Sequence, residues 1–408
     1  MSVVQSQSFD APDAGPLTGY VVVDFSQILA GPYCTQLLAE AGATVLKVEP
    51  PGGEFGRVRG HKRRNNAGGV LSSYSAAVNR NKRSICLDLK TPAGRDIALL
   101  LTEQADVAIE NFAPGVLARL GIDFVELRRQ RPELVTCSIS LFGGFERAGE
   151  LANRKGLAIV AEAESSFASM QRYPDGTPVK LGIALGDMAS ATVAYGAIVT
   201  ALLGRNRGGV GRHLDISMVK VLLALNSTAI TGEQMESHAL KTAGYGIFPA
   251  ADGYVAIGIN SDNLFGRIAR LMDKEWMLTD PRYAHYVERD QRLTEVNAIV
   301  TEWTSARMMD DVVAALTSVG VPGGAVNTPA DILESSIIHR LGFLCDVEDG
   351  LGGTVRVPSN PFQFTPSDAS RISAPGEHTE EILSEFLQWN AEAVAAARRF
   401  GAFGAAST

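Results

Sequence analysis

Short apolar runs alternate with longer mixed segments through the first half of the chain, and that pattern predicts strands alternating with helices. The runs at 20–25 (YVVVDF), 43–49 (ATVLKVE), 84–87, 106–110 (DVAIE) and 134–140 (LVTCSIS) have the length and apolarity of short buried strands. Between the first two, Ala30-Gly31-Pro32 turns into a helix over 33–41, with Pro32 at its first position and Gly42 closing it. Pro92 opens another helix that runs to about Gln104. This βαβ order predicts an α/β fold: a large, Rossmann-like domain with a mostly parallel sheet and helices on its faces. The glycine fingerprint of dinucleotide binding is missing after the first strand, so no NAD or FAD is assigned. Ligands of such sheets lie outside the carboxyl ends of the strands, where several short polar or Gly-rich turns fall.

One stretch, 179–218, departs from that rhythm. Leu181, Ile183 and Leu185 alternate with small residues and suit an extended segment. An uncharged run from Met188 to Leu203 suits a buried helix of about four turns, with Gly204 as its stop and Arg205-Asn206-Arg207-Gly208-Gly209 as a loop. Asp187 stands at the seam. Its ordinary role there is to cap the helix N-terminus. A carboxylate in a mostly apolar setting is also a potential nucleophile. The local pattern leaves both open.

The remaining chain suggests a division into 1–17 as a flexible tail, 18–230 as the large domain, 231–327 as a small α+β domain, and 328–408 as a return linker and the end of the large domain. In the small domain, 254–257 and Ala325-Val326 look like strands, and 261–273, 289–304 and 308–319 like helices. Residues 231–246 look irregular, 217–230 like one long helix, and 52–69 like an irregular loop carrying Arg57, Arg59, Lys62, Arg63 and Arg64.

Composition narrows the function. A net charge of −8 argues against a nucleic-acid groove as the main site. The four cysteines, Cys34, Cys86, Cys137 and Cys345, form no C-x-x-C pair and read as free thiols in a reducing compartment. The histidines lack metal-ligand spacing, so no metal is expected. The longest uncharged apolar run falls just short of the ~18 residues of a membrane span, and the N-terminal residues lack the apolar core of a signal peptide. No membrane partner is expected, and the location expected is cytoplasmic.

Several motifs occur together: VVVDFSQILAGPYCTQLLAEAGATVLKVEPPGG, NRNKRSICLDLKTPAGR, IENFAPGVLARLGI, LGIALGD, GRHLDISM, FPAADGYVAIGI, VPGGAV and GEHTEEIL. In this order and spacing, from about Leu17 to Leu387, the chain resembles the class III CoA-transferases, the formyl-CoA transferase and carnitine CoA-transferase group. The resemblance implies a CoA-transferase with Asp187 as catalytic aspartate, passing CoA from an acyl-CoA to a free carboxylic acid through aspartyl anhydride and aspartyl-CoA thioester intermediates. It implies coenzyme A contacts at Ile28, Leu29 and Ala30; at Leu87, Asp88, Leu89 and Lys90; at Asn111, Phe112 and Ala113; at Arg119; and at Ser140, Leu141, Phe142 and Gly143. Acyl-CoA is then a substrate, no cofactor is tightly bound, and the chain is expected to pair with a second copy as an interlocked homodimer.

The sequence departs from the formyl-CoA transferase pattern at Leu29, Pro50 and Ser140, where that enzyme has glutamine, arginine and lysine. It departs again at Ala243-Gly244-Tyr245-Gly246, which replaces a run of glycines over the active site. The formyl/oxalyl substrate pair is therefore not carried over. The main rival within the fold is an α-methylacyl-CoA racemase, which needs a second acid/base, a histidine, upstream of the aspartate. The matching segment reads Lys155-Gly156-Leu157-Ala158. A CoA-binding protein without turnover is the rival outside catalysis.

Overall fold

The computed structural model describes residues 15–66, 68–235, 242–362 and 371–404. The expected N-terminal tail lies mostly outside them. The chain separates into two units, one of residues 1–227 with 342–408 and one of residues 228–341.

The first unit is built on six strands: β1 (Val21–Asp24), β2 (Thr44–Glu49), β3 (Arg83–Cys86), β4 (Val107–Glu110), β5 (Val135–Ser140) and β6 (His213–Ser217). Their order is β3-β2-β1-β4-β5-β6, and all five pairings are parallel. The order reverses between β1 and β4, and in open parallel sheets the crevice at the carboxyl ends of such strands is where ligands bind.

Strand periodicity places successive residues on opposite faces, and the core divides accordingly. Val22, Val45, Ile109 and Cys137 join one cluster, and Val23, Leu46, Ala108 and Leu134 join the other. The first face is covered by α1 (Ala30–Glu40), α4 (Leu185–Gly208) and α5 (Met218–Leu225). The second is covered by α2 (Pro92–Glu103) and the C-terminal helices α6 (Thr379–Leu387) and α7 (Ala391–Arg399). Ile382 and Leu383 of α6 are fully buried in that second core, which is why the chain end belongs to this unit. A short helix, α3 (Ala158–Glu164), precedes α4 and packs on it.

Alpha-4 differs from its sequence reading at both ends. It starts at Leu185, no strand forms over 181–185, and it runs through Gly204 to Gly208. A helical glycine costs only about 1 kcal/mol. Beyond it, Arg205 pairs with Asp106 at 2.9 Å and lies over the Tyr20 ring, and Asn206 donates to the Tyr20 hydroxyl at 2.6 Å. Those contacts carry the helix to Gly209, which ends it at φ +76°. Ala191, Ala194 and Ala201 pack against α1 residues Ala30, Cys34 and Leu38, small side chains letting the two helices approach closely.

Three other segments differ. The expected single helix over 217–230 breaks at Asn226, which donates to the Ser166 hydroxyl at 2.7 Å. Within 52–69 a hairpin forms from Lys62–Arg64 and Val70–Ser72, closed where Gly69 donates its N–H to Asn65 Oδ1 at 2.8 Å. Pro32 is the third residue of α1, not the first.

The second unit has a three-stranded antiparallel sheet in the order Gly323–Ala325, Gly253–Gly258, Tyr245–Ala250. The last of these strands begins inside the stretch that looked irregular. Its core gathers Phe265, Ile268, Val296, Val300, Val312 and Leu316 from three helices. Short helices, Pro329–Glu334 and Ser336–Arg340, stand where the sequence suggested linker.

Candidate active site

The crevice at the reversal point is walled by the turn between β1 and α1. Asp24, at the end of β1, is fully buried between Lys47 of β2, at 3.5 Å, and Lys82, at 3.2 Å. It also accepts from the Ser26 N–H at 2.9 Å, from the Ser26 hydroxyl, and from the Thr35 hydroxyl at 2.5 Å. Burial pushes its pKa up, but the two ammonium groups and the hydroxyls outweigh burial and hold it at about 2. Lys47 donates to the Ser26 carbonyl, and Lys82 donates to the Pro32 carbonyl at 2.7 Å. The cluster therefore ties down both ends of the turn.

The middle of the turn is held from elsewhere. Gln27 gives its N–H to Asn111 Oδ1 at 2.7 Å and takes Asn111 Nδ2–H on its carbonyl at 2.8 Å. Asn111 follows β4, so this pair joins the two strand ends that flank the crevice. Gly31 packs so tightly on Ser26 that an added Cβ would lie 2.1 Å from the Ser26 Cβ. The cap of α1, Leu29, offers no side-chain acceptor. Among the described residues the N–H groups of Leu29, Ala30 and Gly31 meet no acceptor. Uncapped N–H groups at a helix N-terminus suit an anionic or developing-anionic oxygen.

Asp187 lies in the first turn of α4, half-buried. The capping role suggested by sequence is not what it does. The helix starts two residues earlier, its N-cap is Ala184, and that cap has no side-chain hydrogen bond. The carboxylate has neither a hydrogen bond nor an ion pair among the described residues. Its pKa is raised to about 6, first by burial and then by the nearby charge of Glu162. Glu162, on α3, is 3% exposed and accepts the Gly186 N–H at 3.3 Å. The sequence reading missed Glu162; one of two glutamates in a short alanine-rich stretch, 25 positions upstream of Asp187, carries no local signal.

The other expected contact residues form turns at neighbouring strand ends. Leu87 extends β3 by donating to the Glu49 carbonyl at 2.8 Å and is buried in the core. Asp88 accepts the Lys90 N–H at 3.1 Å, and its carbonyl accepts the Thr91 N–H where α2 begins. Leu89 packs on the second core and Lys90 is exposed. Beyond β4, Glu110 Oε2 accepts the Phe112 N–H at 2.7 Å, and burial raises the Glu110 pKa to about 7. Phe112 and Ser140 line a cavity of about 170 Å³, whereas Ala113 and Arg119 are exposed. Ser140 accepts the Gly143 N–H at 3.1 Å, Leu141 packs in the first core, and Phe142 lies under the Arg154 guanidinium. In the arginine-rich loop, Arg57 makes a bidentate pair with Glu49, both contacts at 2.5 Å, and Arg63 pairs with Asp349 at 2.8 Å. Arg57 is half-buried by its pair, whereas Arg63 stays exposed, as do Arg59, Lys62 and Arg64.

A Rossmann-type sheet, uncapped N–H groups at its reversal point and an unpaired carboxylate in the first turn of a helix packed on α1 give an α/β protein a nucleophile and donors for an anionic oxygen. The CoA-transferase family III pattern matches residues 17–379, and the chain belongs to that family. It is 32% identical over 389 residues to the succinyl-CoA–D-citramalate CoA-transferase of Chloroflexus aurantiacus, covering 91% of this chain and 94% of that one. It is 33% identical over 384 residues to the succinate–glutarate CoA-transferase of Agrobacterium fabrum, covering 91% and 95%. A CAIB/BAIF family protein from Brucella suis superposes with a TM-score of 0.80 at 31% identity, over 91% of this chain and 100% of that one. The protein is thus an enzyme of the class III CoA-transferase type, acting between acyl-CoA and carboxylic acids.

Proposed function

We propose that Asp187 is the nucleophile of the CoA exchange. Its carboxylate attacks the thioester carbonyl of the donor acyl-CoA, forming a mixed anhydride and expelling the CoA thiolate. The thiolate attacks the aspartyl carbonyl, releasing the donor acid as its carboxylate and leaving an aspartyl-CoA thioester. The acceptor carboxylate attacks that thioester and again expels the thiolate. Attack of the thiolate on the acceptor's acyl carbon yields the new acyl-CoA and restores Asp187. No proton is gained or lost over the cycle.

The observation that carries this reading is the Asp187 carboxylate itself: half-buried, without a partner among the described residues, and in the first turn of a helix that packs on α1. A nucleophile bound up in a cap or an ion pair would be blunted. Coenzyme A is proposed to run along the turns at 28–30, 87–90, 111–113 and 140–143, with Lys90 and Arg119 near its phosphates. The names of the relatives and the exposed Arg59, Lys62 and Arg64 favour short dicarboxylic acids as donor and acceptor. An interlocked homodimer fits the apolar residues that α4 leaves exposed, Val193 and Leu203, and a cytoplasmic location is proposed with it.

A racemase would need a second acid/base beside Asp187. The segment where a racemase carries that histidine reads Lys155-Gly156-Leu157-Ala158, and the acid nearest the Asp187 turn, Glu162, is buried and takes the Gly186 N–H at 3.3 Å. The test is intact-mass spectrometry after mixing with succinyl-, glutaryl- and acetyl-CoA, with rapid quenching and hydroxylamine trapping. An adduct on Asp187 that is absent in Asp187→Ala is expected. No adduct, with deuterium uptake at the α-carbon of a branched acyl-CoA, would establish the racemase instead.

A further inference from the structure

Ile28, in the turn that walls the crevice, has φ +71°. Left-handed backbone is a genuine outlier for a β-branched residue and persists only where its surroundings over-determine it. The restraints already described act on either side of it: Asn111 on Gln27, Lys47 on Ser26, Lys82 on Pro32. Among the described residues, Ile28 itself is held by one group. Its N–H donates to Glu54 Oε2 at 3.1 Å.

Glu54 is built for that contact. The same oxygen accepts the Gly56 N–H at 2.6 Å, and the Glu54 N–H donates to Glu49 Oε2 at 3.1 Å, so the side chain is fixed from its own backbone outward. It is 2% exposed, and its second oxygen, Oε1, has no hydrogen-bond partner. A buried carboxylate with an unmet oxygen is a poor device for stability. Directly after Ile28 come the three N–H groups of Leu29, Ala30 and Gly31 that meet no acceptor among the described residues.

We infer that Glu54 is a positioning residue for acyl transfer: through the Ile28 N–H it holds the turn in its strained form and keeps the Leu29, Ala30 and Gly31 N–H groups available to the thioester oxygen. This rests on the transferase reading above. Fixed donors aid reaction only if they need no rearrangement as charge develops, so the effect falls on turnover more than on binding.

The test measures exchange of ¹³C-labelled acid into its own CoA ester, using whichever of succinyl-, glutaryl- or acetyl-CoA labels Asp187 fastest. Glu54→Asp withdraws the acceptor by one methylene while keeping the charge, and Glu54→Gln keeps an oxygen in place while losing the charge. Glu54→Asp is expected to lower kcat about 10-fold or more with KM changed less than about threefold, and Glu54→Gln to retain most of the activity. In an Ile28→Gly background, where the left-handed conformation carries no steric cost, Glu54→Asp is expected to lower kcat by less than about threefold. A loss equal in both backgrounds, a change in KM alone, or a native-like Glu54→Asp with an impaired Glu54→Gln would overturn the inference. Wild-type protein that exchanges no label and forms no Asp187 adduct would instead overturn the transferase reading.

Discussion

The Gly186 N–H donates to Glu162 Oε1 at 3.3 Å, which sets a second buried carboxylate against the turn that carries Asp187. Glu162 supplies an acceptor to an N-terminus that Ala184 cannot cap, and its charge opposes ionisation of its neighbour. The variant Glu162→Gln keeps an oxygen and removes the charge. The acidic limb of the kcat/KM profile is expected to move to lower pH, with little change at pH 8. An unmoved limb would mean that burial alone sets the Asp187 pKa.

That limb itself is a prediction for the unaltered protein. Asp187 must be ionised to attack, so kcat/KM is expected to rise with pH through about 6 and then level off. A limb near the ordinary aspartate value would show that Asp187 is better solvated than the structure has it.

The same shift has a consequence for stability. A carboxyl whose folded pKa is raised binds its proton more tightly in the folded state. Its ionised form therefore costs stability at neutral pH, and the cost is relieved as pH falls from about 6 toward 3.8. Asp187→Asn is expected to stabilise the protein at pH 7.5 by on the order of 2 kcal/mol, with the gain vanishing near pH 4. Urea unfolding of both forms at the two pH values measures it, and the variant should lose at least about 10³-fold in exchange rate.

Asp24 behaves in the opposite sense. Its folded pKa, about 2, lies below the ordinary value, so it contributes stability that is present above pH 4 and lost as pH falls toward 2. Asp24→Asn leaves Lys47 and Lys82 buried without their counter-charge and is expected to destabilise the protein by about 3–5 kcal/mol. Equilibrium unfolding at pH 7 checks this, and a change under about 1 kcal/mol would show that the lysines find other partners.

Gly31 has no room for a side chain, because an added Cβ would overlap the Ser26 Cβ and hydroxyl. Gly31→Ala must displace the 26–31 turn. A displacement near 1 Å costs about 10²-fold in turnover, and the far-ultraviolet circular dichroism should stay unchanged. Wild-type exchange in this variant would mean that the turn is not part of the reacting surface.

Much of the first unit can be read directly from the chain. The strand runs that become β1, β2, β4 and β5 are found within a residue or so of their place, because each is a short apolar run bounded by Gly, Pro or charge. Local pattern misplaced the ends of α4. The extended look of Leu181, Ile183 and Leu185 reflects alternation with small residues, and the helix passes Gly204 because Asp106 and Tyr20, distant in sequence, hold Arg205 and Asn206. The arginines of 57–64 looked like one positive face, but Glu49 and Asp349 pair with two of them and offset their charge.

The sequence by itself determined the alternation of strands and helices, the turns at their carboxyl ends, and Asp187 as a carboxylate in an apolar stretch. Those properties depend on residues close along the chain, where periodicity and turn chemistry act directly. Tertiary structure decided what Asp187 is free to do, since its release from capping depends on where α4 begins and its raised pKa on burial, with the charge of Glu162 from another helix adding to it. It also decided the shape of the crevice wall, where Asn111, Lys47, Lys82 and Glu54 arrive from four separate segments to hold one turn, a convergence that no local window contains.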